Sequence, residues 1–225
     1  MKWLIAFFGS SIGKKLLMSL TGLFLILFLT VHLIGNLQLL QHDNGVAFNT
    51  YAKLMTTNPL IKIISYGNYF FILLHAFIGL SLWWYNRQAK GQSYVVSNHN
   101  KTSWASKNMA LLGTLILAFI LIHMGDFWLK MKMDQLPMVT IDGIEVKDLY
   151  FRVAEAFKNP VLVASYVIGM GVLSFHLWHG FQSAFQTLGL NHKKYTPFIK
   201  DVGKAYAIII PAGFALIPIY HFLFK

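Results

Sequence analysis

The stretch from Leu16 to Leu40 decides the fold. It reads LLMSLTGLFLILFLTVHLIGNLQLL and contains no Lys, Arg, Asp or Glu. A helix needs about 20 mostly apolar residues to cross the hydrocarbon core of a bilayer. This stretch is long enough, and Lys14 and Lys15 precede it directly. It therefore predicts a transmembrane helix.

Four later stretches have the same character and are bounded by polar or helix-breaking residues such as Asn159-Pro160. The five predicted spans run over Leu16–Leu40, Ile63–Tyr85, Met109–Leu129, Val161–Leu188 and Ala205–Phe224. The sequence thus predicts an all-α membrane protein, with residues 1–225 forming one bundle of five transmembrane helices. No small-residue cleavage site follows the first apolar run, so we expect that run to be retained.

The composition agrees with a lipid-facing surface. Hydrophobic residues make up 56% of the chain and charged residues 12%, compared with roughly 25% charged residues in a soluble domain. The chain contains no cysteine. This excludes disulfides, iron–sulfur clusters and thiolate zinc sites built from this chain alone.

The charged residues predict the orientation. With the N-terminus in the cytoplasm, the inside holds a single acid, Asp201, and the outside holds the other seven of the 8 acids. The 11 inside bases, of 19, are Lys2, Lys14, Lys15, Arg87, Lys90, Lys101, Lys107, Lys193, Lys194, Lys200 and Lys204. Basic residues gather in cytoplasmic loops, so we expect the N-terminus inside and the C-terminus outside. The formal charge of +11 then needs no nucleic-acid partner.

The long outside loop, about residues 130–158, has structure of its own. Met138 to Val146 alternates around the turn Asp142-Gly143, which predicts a β-hairpin. Leu149, Tyr150, Val153 and Phe157 follow with helical spacing. We expect them to form one apolar face of a helix that lies on the membrane surface.

Histidines are the unusual residues inside the spans. His42, His99 and His192 lie in loops and His221 at the end of the last span, which suits solvated or interfacial residues. The remaining histidines, inside apolar spans, are His32, His75, His123, His176 and His179. A lone buried histidine is more often a packing residue. An ionisable residue at membrane depth is nevertheless a candidate functional residue, and four of the five spans carry one.

Four of these histidines lie at matched depths. The count is 17 residues from Lys15 to His32, and 16 from Pro59 to His75, from Lys107 to His123 and from Pro160 to His176. At 1.5 Å per residue each lies roughly 24–26 Å along its helix. Successive spans alternate in direction, so His32 and His123 share an outer level, and His75 and His176 share an inner level.

Two imidazoles that face each other suit the axial positions of a b-type haem, and this favours electron transfer. A closed zinc site requires four ligands in one place. A proton relay usually includes buried carboxylates, and Asp126 is the only acid near a span. The fourth ligand is His176 by depth, with His179 as the alternative. A glycine follows each histidine, which fits either a close macrocycle or helix packing: Gly35, Gly79, Gly125 and Gly180.

These residues resemble a known family. The segment Ser174–Leu190, SFHLWHGFQSAFQTLGL, the five spans with one histidine in each of the first four, and Ser19-Leu-Thr-Gly22 are similar to the dihaem cytochrome b subunit of bacterial succinate:quinone oxidoreductases. These are succinate dehydrogenases and fumarate reductases with a single membrane anchor. The likeness covers nearly the whole chain and implies a location in the bacterial cytoplasmic (inner) membrane.

The resemblance also implies the cofactors and partners. His32 and His123 would bind the distal haem, and His75 and His176 the proximal one. A flavoprotein subunit would exchange electrons with succinate or fumarate. An iron–sulfur subunit would dock on the cytoplasmic face and deliver electrons through two b haems to a quinone, expected to be menaquinone. None of the dicarboxylate chemistry would lie in this chain.

Finer assignments within the resemblance are open. Ser19, Arg87 and Lys107 are candidates for haem propionates, although Arg87 and Lys107 also set topology. Ser174 stands where some fumarate reductases carry an acid, which favours succinate oxidation. Candidates for the quinone, or ordinary interfacial polar residues, are Asn36, Gln38, Asn49 and Tyr51.

Three rival functions remain open. The cytochrome b subunit of a nitrate reductase or similar complex also has about five spans and two haems. Its haem ligands are typically two histidines on each of two helices, whereas here the four histidines lie on four helices. A small transporter or channel, and a purely structural membrane subunit, predict no cofactor and no reason for equal depths.

Overall fold

The computed structural model describes residues 2–90 and 103–225. His99 and Lys101, a loop histidine and one of the inside bases, lie outside the described residues. The helices are α1 (Lys2–Gly9), α2 (Ser11–Asn36), α3 (Val46–Thr57), α4 (Pro59–Lys90), α5 (Trp104–Lys107), α6 (Met109–His123), α7 (Lys130–Lys132), α8 (Leu149–Phe157), α9 (Pro160–Thr187) and α10 (Thr196–Phe224). The strands β1 (Met138–Ile141) and β2 (Ile144–Lys147) form one antiparallel pair.

The prediction of an all-α chain with five spans is confirmed. The helical segments long and apolar enough to cross a membrane are Ser11–Leu40, Pro59–Ala89, Met109–Lys132, Pro160–Thr187 and Thr196–Phe224. Most extend beyond the predicted apolar stretches because polar residues at their ends continue the helix. Helix α9 starts as expected, since the Asn159 side chain accepts hydrogen bonds from Val161 N and Leu162 N.

Two spans change helix type near their outer ends. Span one closes with a 3₁₀ turn over Leu37–Leu40. In span three a π-helical segment, Met124–Leu129, follows α6 directly, so that His123 is the last residue before the wider turn. Such π segments occur often at functional sites.

Helix α9 is the centre of the bundle. It packs against α2, α6 and α10, while α2 also packs against α4. Met170, Leu173 and Leu177 of α9 form a buried cluster with Ala207 of α10. This packing brings the four histidine-bearing helices α2, α4, α6 and α9 into one group.

The predicted hairpin is confirmed. Strands β1 and β2 pair with Ile141 opposite Ile144, and Asp142 and Gly143 both have positive φ, 50° and 76°. Two successive residues with positive φ are the mark of the tight hairpin turn that Asp-Gly favours.

Helix α8 forms as predicted, and protein covers part of its apolar face. Val153 and Phe157 are buried within the protein. They pack with Leu39, Tyr166 and Ile217 in a cluster that closes the outer end of the bundle. The apolar spacing thus marks one face of a helix, and the residues that cover Val153 and Phe157 on this face belong to the protein.

Helix α3 lies between the first two spans in the sequence and is hydrogen-bonded to α8 and its cap. The Asn49 amide nitrogen donates to Asp148 Oδ1 at 2.8 Å, and its carbonyl oxygen accepts from Tyr150 N at 2.9 Å. Asp148 also caps α8 by accepting from Phe151 N. These bonds join the two short outer helices into one layer.

Candidate paired-histidine site

The outer level brings His32 of α2 together with His123 of α6. Their ring centroids are 5.9 Å apart and the ring planes are nearly perpendicular, at 85°. Phe28 stacks on His32 at 5.1 Å, and Phe119 stacks on His123 at 6.0 Å. The two imidazoles therefore face each other inside an aromatic surrounding.

The inner level brings His75 of α4 together with His176 of α9. Their ring centroids are 6.3 Å apart, with 66° between the planes. Phe24, two residues after Gly22, packs against Phe71, one turn before His75, with ring centroids 4.7 Å apart. Both pairs are the ones that the depth count predicts.

His179 takes no part in a histidine ring pair among the described residues. It lies one turn beyond His176 on α9 and is half-buried. Of the two candidates, His176 is the one whose ring faces His75. The geometry thus favours His176 as the partner of His75.

The hydrogen bonds of three of the four rings use Nδ1. His75 Nδ1 lies 3.0 Å from Thr21 Oγ1, His123 Nδ1 lies 3.2 Å from the Tyr166 hydroxyl, and His32 Nδ1 lies 3.3 Å from the Asn36 amide nitrogen. His176 Nδ1 is buried without a partner among the described residues. Metal-binding histidines are typically held through the ring nitrogen that does not bind the metal.

The glycines closest to the inner pair are not the four that follow the histidines. A Cβ on Gly22 would lie 3.3 Å from His75 Cε1, and one on Gly113 would lie 3.8 Å from His176 Cε1. Of the four predicted glycines, Gly35 packs against the Tyr51 ring, and a Cβ on Gly79 would lie 3.1 Å from the Met18 methyl group. A Cβ on Gly125 or Gly180 would meet nothing within 4 Å.

A charged cluster lies beside the outer pair on the π segment. Asp126 forms ion pairs with Lys130, at 3.0 Å, and with Arg152 of α8. Its second oxygen, Oδ2, is buried without a partner among the described residues. The carboxylate lines an open cavity of about 450 Å³ with Arg152, Glu155 and Asn159. The cluster joins the outer layer to the helix that carries His123.

The quinone candidates have different surroundings. Asn36 donates to the His32 carbonyl oxygen at 2.7 Å, and Gln38 is half-buried on the 3₁₀ turn. Tyr51 lies against Gly35, and burial raises the pKa of its phenol. Asn49 is 2% exposed. Its amide nitrogen donates to Asp148, the cap of α8, and its amide oxygen accepts from Tyr150 N in α8. This favours a structural role for Asn49.

The three candidates for haem propionates also differ in burial. Ser19 is buried on α2 and donates to the Lys15 carbonyl oxygen at 3.0 Å. Arg87 is exposed, and its guanidinium lies over the Trp83 ring at 5.4 Å. Lys107 is exposed at the end of α5. Ser19 lies on the turn before Gly22, the glycine that faces His75.

The interpretation of His221 as a solvated or interfacial residue is wrong. The side chain is 2% exposed, its Nε2 donates to the Leu39 carbonyl oxygen at 3.2 Å, and it packs against Tyr150 and Phe157. The 3₁₀ turn and α8 fold over the end of α10 and cover it. His42 and His192 are exposed, as expected.

The opposite end of the bundle is basic. Lys193, Lys194, Lys200 and Lys204 are all exposed at the α9–α10 connection. Three of them line a shallow groove of about 540 Å³ with Asp201. This end holds the N-terminus of α2 and the inner histidine pair.

Comparison with known proteins gives no match: neither a protein-family profile nor a curated protein nor a solved structure is similar to this chain. Within residues 2–90 and 103–225, no group of three or more His, Asp or Glu side chains comes together as a metal site. Each histidine pair therefore stands without a third such side chain beside it in these residues.

Proposed function

We propose that this chain is the membrane-anchor cytochrome b subunit of a bacterial succinate:quinone oxidoreductase, with two b haems held by His32 with His123 and by His75 with His176. The observation that carries the proposal is the pairing itself. Four histidines on four different helices meet as two facing pairs, at two depths of one apolar bundle.

The distance within each pair fits a metal between two imidazoles. Metal–imidazole bonds of about 2 Å on either side place the centroids of two ligating rings about 6 Å apart. The centroid distances here are 5.9 and 6.3 Å. Within the described part of the chain, no third His, Asp or Glu side chain joins either pair. This fits a haem, because the macrocycle would supply the other four donors. When bound, such a haem would supply a one-electron redox centre, with His32 and His123 or His75 and His176 as the residues that hold it.

The chain's own residues supply the surroundings that such centres need. The aromatic rings stacked on His32 and His123 give the outer pair an apolar surrounding. Gly22 and Gly113 keep the backbone close to the inner pair. The Thr21 and Tyr166 hydroxyl groups can accept from the Nδ1–H of His75 and His123, which leaves Nε2 of these two rings as the nitrogen for the metal.

The two ends of the bundle support different partners. The exposed lysines of the α9–α10 connection form a basic surface for an iron–sulfur subunit, which in turn would carry the flavoprotein subunit. At the outer end, Asn36, Gln38 and Tyr51 lie on or beside the helix that carries His32 and support a quinone site there, expected to take menaquinone. We place the chain in the bacterial cytoplasmic membrane, with α2 starting at the cytoplasmic side.

A reduced-minus-oxidised spectrum with pyridine haemochrome quantitation tests the proposal on the purified complex. We expect about two b haems per chain. A chain that folds without haem contradicts the proposal and favours a transporter or a structural membrane subunit.

Co-purification separates the remaining cytochrome b assemblies. A flavoprotein with covalently or tightly bound flavin and succinate dehydrogenase activity is expected to accompany the tagged chain. Recovery of two b haems with a molybdenum-containing nitrate reductase instead would favour the rival respiratory complex.

A further inference from the structure

We propose that Thr21 is a positioning residue for His75: its hydroxyl accepts a hydrogen bond from the His75 Nδ1–H and so holds the ring in the tautomer whose Nε2 can bind a metal. The inference rests on the proposed function, because it assigns a role at the inner haem level. It adds a residue that neither the histidine spacing nor the family resemblance identifies.

The Thr21 hydroxyl has one hydrogen and three oxygen or nitrogen atoms within reach. It donates to the Leu17 carbonyl oxygen at 2.8 Å, with the Met18 carbonyl oxygen at 3.2 Å as a second acceptor. His75 Nδ1 is the third atom, at 3.0 Å. Threonine in a helix commonly donates to the carbonyl oxygen four residues earlier, so the hydrogen is committed to the backbone. A hydroxyl whose hydrogen is used in this way can only accept from the ring.

An accepted bond fixes the ring proton on Nδ1. Neutral imidazole carries one N–H, so Nε2 then holds a free lone pair. The Nδ1–Cε1 edge of His75 faces α2, since a Cβ on Gly22 would lie 3.3 Å from Cε1 and 3.8 Å from Nδ1. Nε2 is thus the nitrogen left for a ligand shared with His176, whose ring centroid lies 6.3 Å away.

The opposite assignment is chemically distinct. If Thr21 donated to Nδ1, the ring proton would sit on Nε2 and block that nitrogen. Thr21 is 3% exposed and Leu17 precedes it by one turn of the same helix, so water does not compete for these bonds. The two assignments predict opposite effects when the hydroxyl is removed.

At the other three histidines, no group among the described residues is restricted to accepting a hydrogen bond from Nδ1. The Tyr166 hydroxyl beside His123 has its hydrogen uncommitted, since it forms no other hydrogen bond among the described residues. Asn36 presents its amide nitrogen to His32, and His176 Nδ1 has no partner in the described part of the chain. We therefore infer that the anchoring of the inner site depends on the Thr21–His75 bond.

The test compares Thr21→Val with Thr21→Ser in the purified complex. Thr21→Val keeps the shape and removes the hydroxyl, whereas Thr21→Ser keeps it. The matched control is Thr30→Val on the same helix, because the Thr30 hydroxyl bonds the Ile26 carbonyl oxygen and Tyr206 but no histidine. The readouts are the midpoint potentials of the two b haems and the electron paramagnetic resonance spectrum of each oxidised haem.

We expect Thr21→Val to raise the potential of one haem only. A hydrogen bond from the distal ring nitrogen raises the basicity of a ligating imidazole, which favours the oxidised metal, so its loss favours the reduced form. Thr21→Ser should restore the wild-type potential, and Thr30→Val should leave both haems unchanged. The haem that responds should be the one that remains after His123→Ala removes the outer site.

Several outcomes overturn the inference. They are unchanged potentials and spectra in Thr21→Val, tighter haem binding in Thr21→Val, or an equal shift in Thr30→Val. If Thr21→Val does not assemble, Thr21→Ala removes the hydroxyl without the second methyl group and gives the same readouts. A two-haem complex that ignores Thr21 overturns only the inference, whereas a wild-type complex without haem overturns the proposed function together with it.

Discussion

His123 and His179 differ in what their rings touch, although both lie inside apolar spans. His123 faces His32 at 5.9 Å, while His179 lies one turn beyond the inner pair on α9. Replacement of His123 by Ala should remove about one of two b haems and spare the other, because the two levels share no ligand. His179→Ala should keep both. Haem quantitation against folded protein checks this, and loss of one haem in His179→Ala would contradict the pairing.

Gly35 shows how close two outer helices approach. A Cβ at this position would overlap the Tyr51 ring, so Gly35→Ala must push α3 away from α2. Overpacking of this kind costs about 1–3 kcal/mol, and we expect a lower melting temperature in detergent. Gly67→Ala on α4 is the matched control. A Cβ there meets nothing within 4 Å, and Ala is the better helix former. Equal melting temperatures for the two variants would count against this packing.

The sequence predicted some single residues well and others not at all. The four paired histidines could be found by counting, because a helix rises by a fixed distance per residue. His221 could not be assigned correctly, since its burial depends on α8 and the 3₁₀ turn, which are distant in the chain. Thr21 carries no signal of its own, because its role depends on a ring 54 residues away.

Asn49 tests how the short outer helices are held together. Its replacement by Ala leaves Tyr150 N without its partner and removes the bond to Asp148. An unpaired buried group costs about 1–3 kcal/mol, so the amides of α8 should exchange hydrogen faster with solvent.

The control for this prediction is Thr57→Ala on the same helix α3. The Thr57 hydroxyl is exposed and donates only to the Lys53 carbonyl oxygen. Exchange in α8 should stay at the wild-type rate in this variant. Unchanged exchange in Asn49→Ala would mean that the packing of Val153 and Phe157 holds α8 without the side-chain bonds.

The elements were predicted best where one local rule decides them. Five apolar stretches became five spans, and Asp142-Gly143 became the hairpin turn, because hydrophobic length and positive φ are local properties. Helix α3 was missed because its mixed sequence resembles a loop. The burial of Val153 and Phe157 of α8 against protein could not be predicted, because an amphipathic face does not reveal whether lipid or protein covers it.

At the scale of the whole molecule, the absence of cysteine allows a direct test of orientation. Glu145 in β2 and Lys194 before α10 are exposed and lie at opposite ends of α9. In intact cells, a membrane-impermeant maleimide should label Glu145→Cys and should label Lys194→Cys only after permeabilisation. The cysteine-free parent chain is the control, and the reverse pattern would place the N-terminus outside.

The separation of the two histidine levels determines how strongly the membrane voltage would act on an electron that moves between them. Gly22 lies beside His75, and His32 follows ten residues later on α2, so the levels are about 15 Å apart, half of the roughly 30 Å hydrocarbon core. A charge that crosses the whole membrane at 100 mV gains or loses about 2.3 kcal/mol, so an electron moving between the levels would exchange about half of that with the field. With a negative cytoplasm, the voltage would drive electrons outward. Succinate oxidation by intact cells should then slow when an ionophore collapses the voltage, and fumarate reduction should speed up.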